Sequence, residues 1–147
     1  MGFSSALLFA FFGSAALAAP QASCPSGFTY TVALDTCLSS STQYGTWAQA
    51  NLFCSQHQSS LLSIHDDDTN AQFARLVFAL SGDHRSWLGL QKDAKGDYAW
   101  TDGTPLDYQN FRAVGSGDCF YLESMGSYWA KADCTVQLTY YCSTTPH

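Results

Sequence analysis

Carboxylates and an imidazole that could hold a cation occur together in one short run of the sequence. His65 is followed by Asp66, Asp67 and Asp68, and this mixture of nitrogen and oxygen donors suits several divalent metals. The run also stands directly before a predicted helix, where carboxylates cap free backbone amides and offset the helix dipole. We interpret it as the start of a helix and predict no metal ligand in it.

Residues typical of an enzyme are hard to find in the sequence. There is no His-Glu-x-x-His zinc motif, no Gly-x-Ser-x-Gly nucleophile turn and no glycine-rich phosphate loop. His57 and His65 have no acid or nucleophile partner at a recognisable spacing. The sequence therefore predicts that the protein is not an enzyme and has no catalytic residues.

The cysteines and the amino-terminal segment indicate an oxidising compartment. An apolar run from Ala6 to Ala19 contains the A-x-A pattern of Ala16 to Ala18, which predicts a secretory signal peptide over residues 1–18 and a mature domain over residues 19–147. A membrane anchor is the alternative, but the run is shorter than ~20 apolar residues and is interrupted by glycine and serine. Six cysteines behind such a signal predict three disulfides in a secreted, extracellular protein. Spacing alone allows ~15 pairings.

Charge narrows the range of partners. The chain has 12 Asp and Glu against 6 Lys and Arg, a net charge of −6, which argues against binding to nucleic acid or to an anionic membrane. No stretch after the signal could span a bilayer. We therefore expect no nucleic-acid partner and no membrane span in the mature chain.

The elements that must position any site form two helices followed by a strand-rich half. Thr46 is a candidate N-cap for a first helix whose buried face carries Trp47, Ala50 and Cys54. A second helix has Asp67 or Asp68 as its cap, Ser60 to Ile64 form a short strand between the helices, and short aromatic runs after Gly82 predict further strands. The predicted buried stripe of the second helix is Phe73, Leu76, Val77 and Leu80.

Several motifs in this order resemble those of C-type lectin-like domains. The motifs are the hairpin "CPSGFTYTVALDTC", the tryptophan-led helix, "SWLGL", "WTDGTPLDYQNF" and three closing cysteines, and together they span Cys24 to Cys142. The resemblance implies an α+β fold in which two helices pack on small antiparallel sheets beside a long loop. It also implies three disulfides, which pair Cys24 with Cys37, Cys54 with Cys142 and Cys119 with Cys134.

Sugar-binding members of this family hold Ca²⁺ in the long loop, and most of the implied ligands are missing here. Their Glu-Pro-Asn or Gln-Pro-Asp tripeptide is absent, because no proline lies between Phe111 and Cys119. Their Asn-Asp pair is replaced by Ala130 and Lys131, and a hard cation needs several oxygen ligands. Asp118 or Glu123 could supply an acidic ligand, but we expect neither to build a site alone.

These substitutions lead to two functional hypotheses, beside which an enzyme whose residues are brought together by the fold is the third alternative. The first is a secreted recognition module that binds a carbohydrate or an extracellular protein without Ca²⁺ at the usual sugar site and without a cofactor. The second is a Ca²⁺-dependent carbohydrate-binding lectin, which fold resemblance alone favours. We further expect Lys131 to pair with Asp118 or Glu123 and so to order the loop without metal, although Lys131 could equally be a solvated strand residue. The candidate ligand-binding residues are Asn110, Arg112, Asp118, Glu123 and Lys131.

Overall fold

The first helix begins where its sequence caps it. The computed structural model describes residues 23–147, so the predicted signal peptide lies outside the described residues. Helix α1 spans Trp47–Gln56, and the Thr46 hydroxyl accepts a hydrogen bond from the Gln49 amide while the Gln49 side chain accepts one from the Thr46 amide. This reciprocal capping box satisfies two amides that have no partner within the helix. Trp47, Ala50 and Cys54 are its buried residues, so the predicted face is confirmed.

The second helix differs from the prediction at both ends. Helix α2 spans Asp67–Leu80, and its N-cap is Asp66, whose carboxylate accepts a hydrogen bond from the Thr69 amide at 2.6 Å. The prediction that Asp67 or Asp68 caps the helix is therefore wrong, and both lie in the first turn. Leu80 is 59% exposed because the apolar periodicity continues beyond the part of the helix that the core covers. The buried residues of α2 are Asn70, Phe73, Ala74 and Val77.

The strands form two sheets. One has four strands in the order β1-β2-β10-β4, and the other runs β3-β9-β5-β7-β8 with β6 paired to β5. All pairings are antiparallel except that of β5 with β9. The predicted α+β architecture is therefore confirmed, although the strand predicted from Ser60 to Ile64 is shorter than expected. The strands are β1 (Phe28–Thr31), β2 (Thr36–Ser39), β3 (Gln43–Gly45), β4 (Ser60–Leu61), β5 (Arg85–Lys92), β6 (Tyr98–Trp100), β7 (Cys119–Glu123), β8 (Tyr128–Ala132), β9 (Leu138–Tyr140) and β10 (Cys142–Thr144).

One core cluster of the described residues lies between α2 and the larger sheet, and a second packs α1 against β4, β5, β9 and β10. Trp129 on β8 is fully buried, and its indole N–H donates to the Asn70 side chain on α2 at 2.8 Å. This bond satisfies two polar groups that burial would otherwise make costly. It also fixes β8 relative to the helix, which matters because β8 supports the candidate site.

Three disulfides close the fold. The bonds join Cys24 to Cys37, Cys54 to Cys142 and Cys119 to Cys134, so the pairing that the resemblance implied is confirmed. The second bond links α1 to β10, and the third links the start of β7 to the segment that follows β8. Within residues 23–147, no helix is long and apolar enough to cross a membrane.

Candidate functional site

The long loop, residues 101–118, runs from β6 to β7 and is held along β8 by backbone hydrogen bonds. The Arg112 amide donates to the Trp129 carbonyl at 2.9 Å, and the Trp129 amide donates to the Asn110 carbonyl at 2.8 Å. Further along, the Lys131 amide donates to the Val114 carbonyl at 3.3 Å. The loop is therefore ordered by main-chain bonding, and alternate side chains of β8 emerge on the two sides of the sheet.

Lys131 lies on aromatic rings. Its ammonium nitrogen is 5.4 Å from the centroid of the Tyr98 ring and 5.9 Å from that of Phe120. Phe120 is the cross-strand neighbour of Lys131 in the β7–β8 register, so the two side chains share one face of the sheet. These contacts place the cation where the ring electrons attract it.

The ion pair expected for Lys131 is not formed in the part of the chain that the structure describes. Asp118 instead lies 3.2 Å from the Lys92 ammonium, which is also 6.0 Å from the centroid of the Tyr98 ring. The Glu123 carboxylate accepts a hydrogen bond from the Gly126 amide at 2.7 Å. Both carboxylates therefore have other partners. Glu123 binds the turn after β7, and Asp118 pairs with Lys92 at the end of β5.

The five candidate ligand-binding residues do not form one cluster. Arg112 lies over the Tyr128 ring, with its guanidinium carbon 4.4 Å from the ring centroid, on the side of β8 opposite to Lys131. Asn110 is half-buried, and its amide donates to the Ser127 carbonyl at 2.6 Å, so it braces the turn between β7 and β8. Of the five candidates, therefore, only Arg112, Asp118 and Lys131 present polar groups on the surface of the long-loop region.

Sequence reasoning missed the contribution of Lys92 and Tyr98. The two residues are paired in the β5–β6 register, and both contact the groups around Lys131. The strands of this hairpin are among those predicted after Gly82. The pairing of β5 with β7 could not be predicted, because it joins residues that are far apart in the sequence.

The side chains in this region do not fit the Ca²⁺ ion of the sugar-binding members. Ala130 is fully buried and offers no oxygen from its side chain, and the ammonium of Lys131 would repel a divalent cation. Asp118 is engaged with Lys92. Among residues 23–147, no group of three or more His, Cys, Asp or Glu side chains is placed to hold a metal.

A second polar cluster ties the beginning of the long loop to the start of α2. The His65 ring contacts Asp107 through Nδ1 at 2.6 Å and Ser63 through Nε2 at 3.1 Å. No acidic partner of His65 could be identified from sequence spacing, and the fold supplies one, because Asp107 approaches from 42 residues away in the sequence. Ser63 in turn donates to Asp102.

Burial and hydrogen bonding shift the pKa of two groups in this part of the loop. Burial, followed by the bond that the Tyr108 hydroxyl donates to Asp67 at 2.7 Å, raises the pKa of Tyr108 to about 12. Partial burial pushes the pKa of Asp102 upward, but hydrogen bonds from Ser63 and Thr104 together outweigh it and leave that pKa below its ordinary value. Asp102 is therefore ionised near neutral pH, and Tyr108 keeps its proton.

A disulfide-linked α+β domain with a long surface loop has the architecture of a C-type lectin-like recognition module. The family model described as Lectin C-type domain matches residues 43–144. The chain therefore belongs to the C-type lectin domain family.

Individual relatives agree with this assignment. Snaclec agglucetin subunit alpha-1 of Deinagkistrodon acutus is 31% identical over 69% of this chain and 70% of its own length. Snaclec 3 of Daboia siamensis is 31% identical over 81% of this chain and 80% of its own length. The crystal structure of a calcium-independent type II antifreeze protein superposes with a TM-score of 0.71 at 22% identity, covering 86% of this chain and 97% of the other. At this level of identity, the similarity to the antifreeze protein shows a shared fold alone.

Proposed function

We propose that this protein is a secreted recognition module that binds a glycan or an extracellular protein through its long-loop surface, without Ca²⁺ at the family's sugar site. The long-loop surface is defined here as Lys92, Phe111, Asp118 and Lys131, which lie around the Tyr98 ring, together with Arg112 on the opposite side of β8. Two further candidates from the sequence, Asn110 and Glu123, are not part of this surface. Their side chains bond to the turn between β7 and β8.

The observation that carries the proposal is the position of Lys131. A residue that would be a calcium ligand in sugar-binding members is here a cation that lies against Tyr98 and Phe120. The neighbouring position is a buried alanine. The aromatic rings attract this cation without a metal, which supports a surface that needs no ion.

The surface also has the composition of a binding patch. It carries three of the six Lys and Arg residues of an acidic chain, namely Lys92, Arg112 and Lys131. Phe111 is 36% exposed and rests on Trp129, with 5.3 Å between ring centroids. A half-exposed ring beside cations can stack on a sugar or on an apolar side chain while the cations fix a polar group.

The proposal is tested by screening the mature, oxidised domain on an array of immobilised glycans and on a panel of extracellular proteins, in millimolar Ca²⁺ and in a chelator. We expect the same ligands in both solutions. The double variant R112A/K131A should lose about tenfold or more in affinity for them, the effect of removing central contacts. Arg75→Ala removes an exposed charge on α2 and is the matched control.

Two results would contradict the proposal. Binding that disappears in the chelator would establish a Ca²⁺-dependent lectin. Binding that R112A/K131A leaves unchanged would place the ligand on another face of the domain.

Secretion belongs to the same proposal. Residues 1–18 are proposed to be a signal peptide that is removed after Ala18, leaving residues 19–147. Expression of the full chain in a eukaryotic cell, followed by amino-terminal sequencing of the protein in the medium, tests this. A product retained in the membrane fraction with the run from Ala6 to Ala19 intact would contradict it.

A further inference from the structure

A cavity separate from the long-loop surface lies between α2 and the turn that joins β7 to β8, residues 124–127. Its volume is about 380 Å³, which is within the range of small-molecule sites. It shares no residue with the long-loop surface. The residues that line the cavity are Ala71, Ala74, Arg75, Phe78, Ser124, Met125 and Ser127.

Two large apolar residues of this cavity face solvent. Phe78 on α2 is 55% exposed, and Met125 in the turn is 73% exposed. The Phe78 ring is held in place although it is exposed, because it stacks on the His84 ring with 5.1 Å between the centroids. An apolar ligand that enters the cavity removes part of this apolar surface from water, which is favourable.

A buried hydroxyl at this cavity has no hydrogen-bond partner. Ser124 is 7% exposed, and its Oγ is buried without a partner among residues 23–147. The Ser124 amide donates to the His84 carbonyl at 2.8 Å, so the backbone of this residue is fixed while its hydroxyl stays unpaired. A buried polar group without a partner is costly. A ligand oxygen that accepts from Ser124 removes that cost.

Arg75 gives the cavity a positive charge. It is exposed, it forms no ion pair within residues 23–147, and its guanidinium donates only to the Gln72 side chain, at 3.5 Å. The residues that line the cavity include no Asp or Glu, although the whole chain has a net charge of −6. An anion in the cavity therefore meets a guanidinium and no carboxylate, and the charge favours a negatively charged ligand.

We propose that this cavity binds a small amphiphilic carboxylate, a molecule with an apolar chain or ring that ends in a carboxylate. The apolar part packs on Phe78 and Met125. The Ser124 hydroxyl donates a hydrogen bond to a carboxylate oxygen, and Arg75 supplies the opposite charge. The site goes beyond the recognition function proposed above and does not depend on it.

The polar groups of the cavity distinguish this ligand from others of the same size. A pure hydrocarbon leaves the Ser124 hydroxyl without a partner, and an ammonium ion is repelled by Arg75. An alcohol can pair with Ser124 but gains nothing from the charge of Arg75. A carboxylate compared with an alcohol of the same chain length therefore isolates the contribution of the charge.

Titration of the mature, oxidised domain with octanoate and with 1-octanol, followed by amide NMR, tests the proposal. Octanoate should shift the amide signals of residues 124–127 and bind about threefold more tightly than octanol, the effect of a partly exposed ion pair. Arg75→Ala should abolish that advantage and leave octanol binding unchanged. Lys95→Ala, which removes an exposed cation from the turn between β5 and β6, should preserve it.

Two further variants test the apolar and polar contacts. Phe78→Ala should weaken both ligands about fivefold or more, because it removes a central apolar contact that they share. Ser124→Ala should weaken octanoate about threefold or more, the effect of one hydrogen bond. This second variant removes a hydroxyl that has no partner among the described residues, so we expect it to fold even where Phe78→Ala does not.

Three results would overturn the proposal. Octanoate that shifts no amide signal of residues 124–127 would show that the cavity takes no such ligand. Equal affinities for octanoate and octanol would show that the charge of Arg75 plays no part. An octanoate affinity that Ser124→Ala leaves unchanged would show that the buried hydroxyl does not contact the ligand.

Discussion

The ammonium of Lys131 lies 5.4 Å from the Tyr98 ring centroid, and a divalent cation placed nearby would meet its charge. A single substitution can remove that charge but cannot supply the missing oxygens. Calcium takes six to eight oxygen ligands, whereas the adjoining Ala130 has a methyl group and the tripeptide of the sugar-binding members is absent. The implied calcium ligands are therefore missing at several residues at once.

This reasoning predicts the behaviour of Lys131→Asp. The variant should show no Ca²⁺-dependent rise in its unfolding temperature, because one carboxylate is not enough to build a site. It should also be less stable than the unaltered domain by about 0.5 to 1 kcal/mol, from loss of the contacts with Tyr98 and Phe120. Thermal unfolding in millimolar Ca²⁺ and in a chelator checks both points. A midpoint several degrees higher in Ca²⁺ would show that the remaining ligands suffice.

At the scale of elements, the start of α2 is an attachment point for the long loop. Asp66 caps the helix, Asp67 accepts the Tyr108 hydroxyl, and His65 contacts Asp107. Asp67, an acidic residue in the first turn of α2, thus also holds the loop. The loop end near β8 is held separately by backbone bonds.

The bond between Tyr108 and Asp67 gives a prediction at this scale. The pKa of Tyr108 is raised to about 12, so its contribution is complete below about pH 10 and is lost as the pH rises from about 10 to 12. Tyr108→Phe should cost about 1 kcal/mol at neutral pH. The difference in unfolding free energy between the two proteins should then vanish by pH 12. Denaturant unfolding at a series of pH values measures it, and a difference that stays constant would contradict the assigned partner.

At the scale of the whole molecule, the three disulfides decide how the chain is closed. The bond between Cys54 and Cys142 spans 88 residues, whereas that between Cys24 and Cys37 spans 13. Loop-closure entropy in the unfolded chain grows with this span. The longer bond also joins α1 to β10.

We predict that C54A/C142A is destabilised by about 3 to 5 kcal/mol, on a chain-entropy model, and more than C24A/C37A. Both double variants leave four cysteines to pair, which makes them matched controls for each other. Denaturant unfolding of the oxidised proteins gives the comparison. Equal losses, or a larger loss for C24A/C37A, would show that local strain or packing outweighs the span of the bond.

The sequence predicted local features of the fold better than distant contacts. The cap at Thr46 and the buried face of α1 depend on residues within one or two turns, and both are confirmed. The disulfide pairing followed from the family resemblance and not from spacing. The replacement of the calcium ligands at Ala130 and Lys131 could likewise be read from the chain.

The contacts that could not be predicted from the sequence join residues that are far apart in the chain. Asp107 reaches His65, and Lys92 reaches Asp118, only because β5, β6 and the long loop fold back on the start of α2 and on β7. The expected partner of Lys131 was wrong for the same reason. Charge alone suggested a carboxylate, whereas the strand register places aromatic rings beside the ammonium.

The central claim is that the long loop is ordered without calcium, and thermal unfolding tests it most directly. The mature, oxidised domain is unfolded in millimolar Ca²⁺, in buffer alone and in a chelator, since a ligand that binds only the folded state raises the midpoint. We predict the same midpoint in all three solutions. A midpoint that rises with Ca²⁺ concentration and falls in the chelator would contradict the claim and would establish a calcium site in this domain.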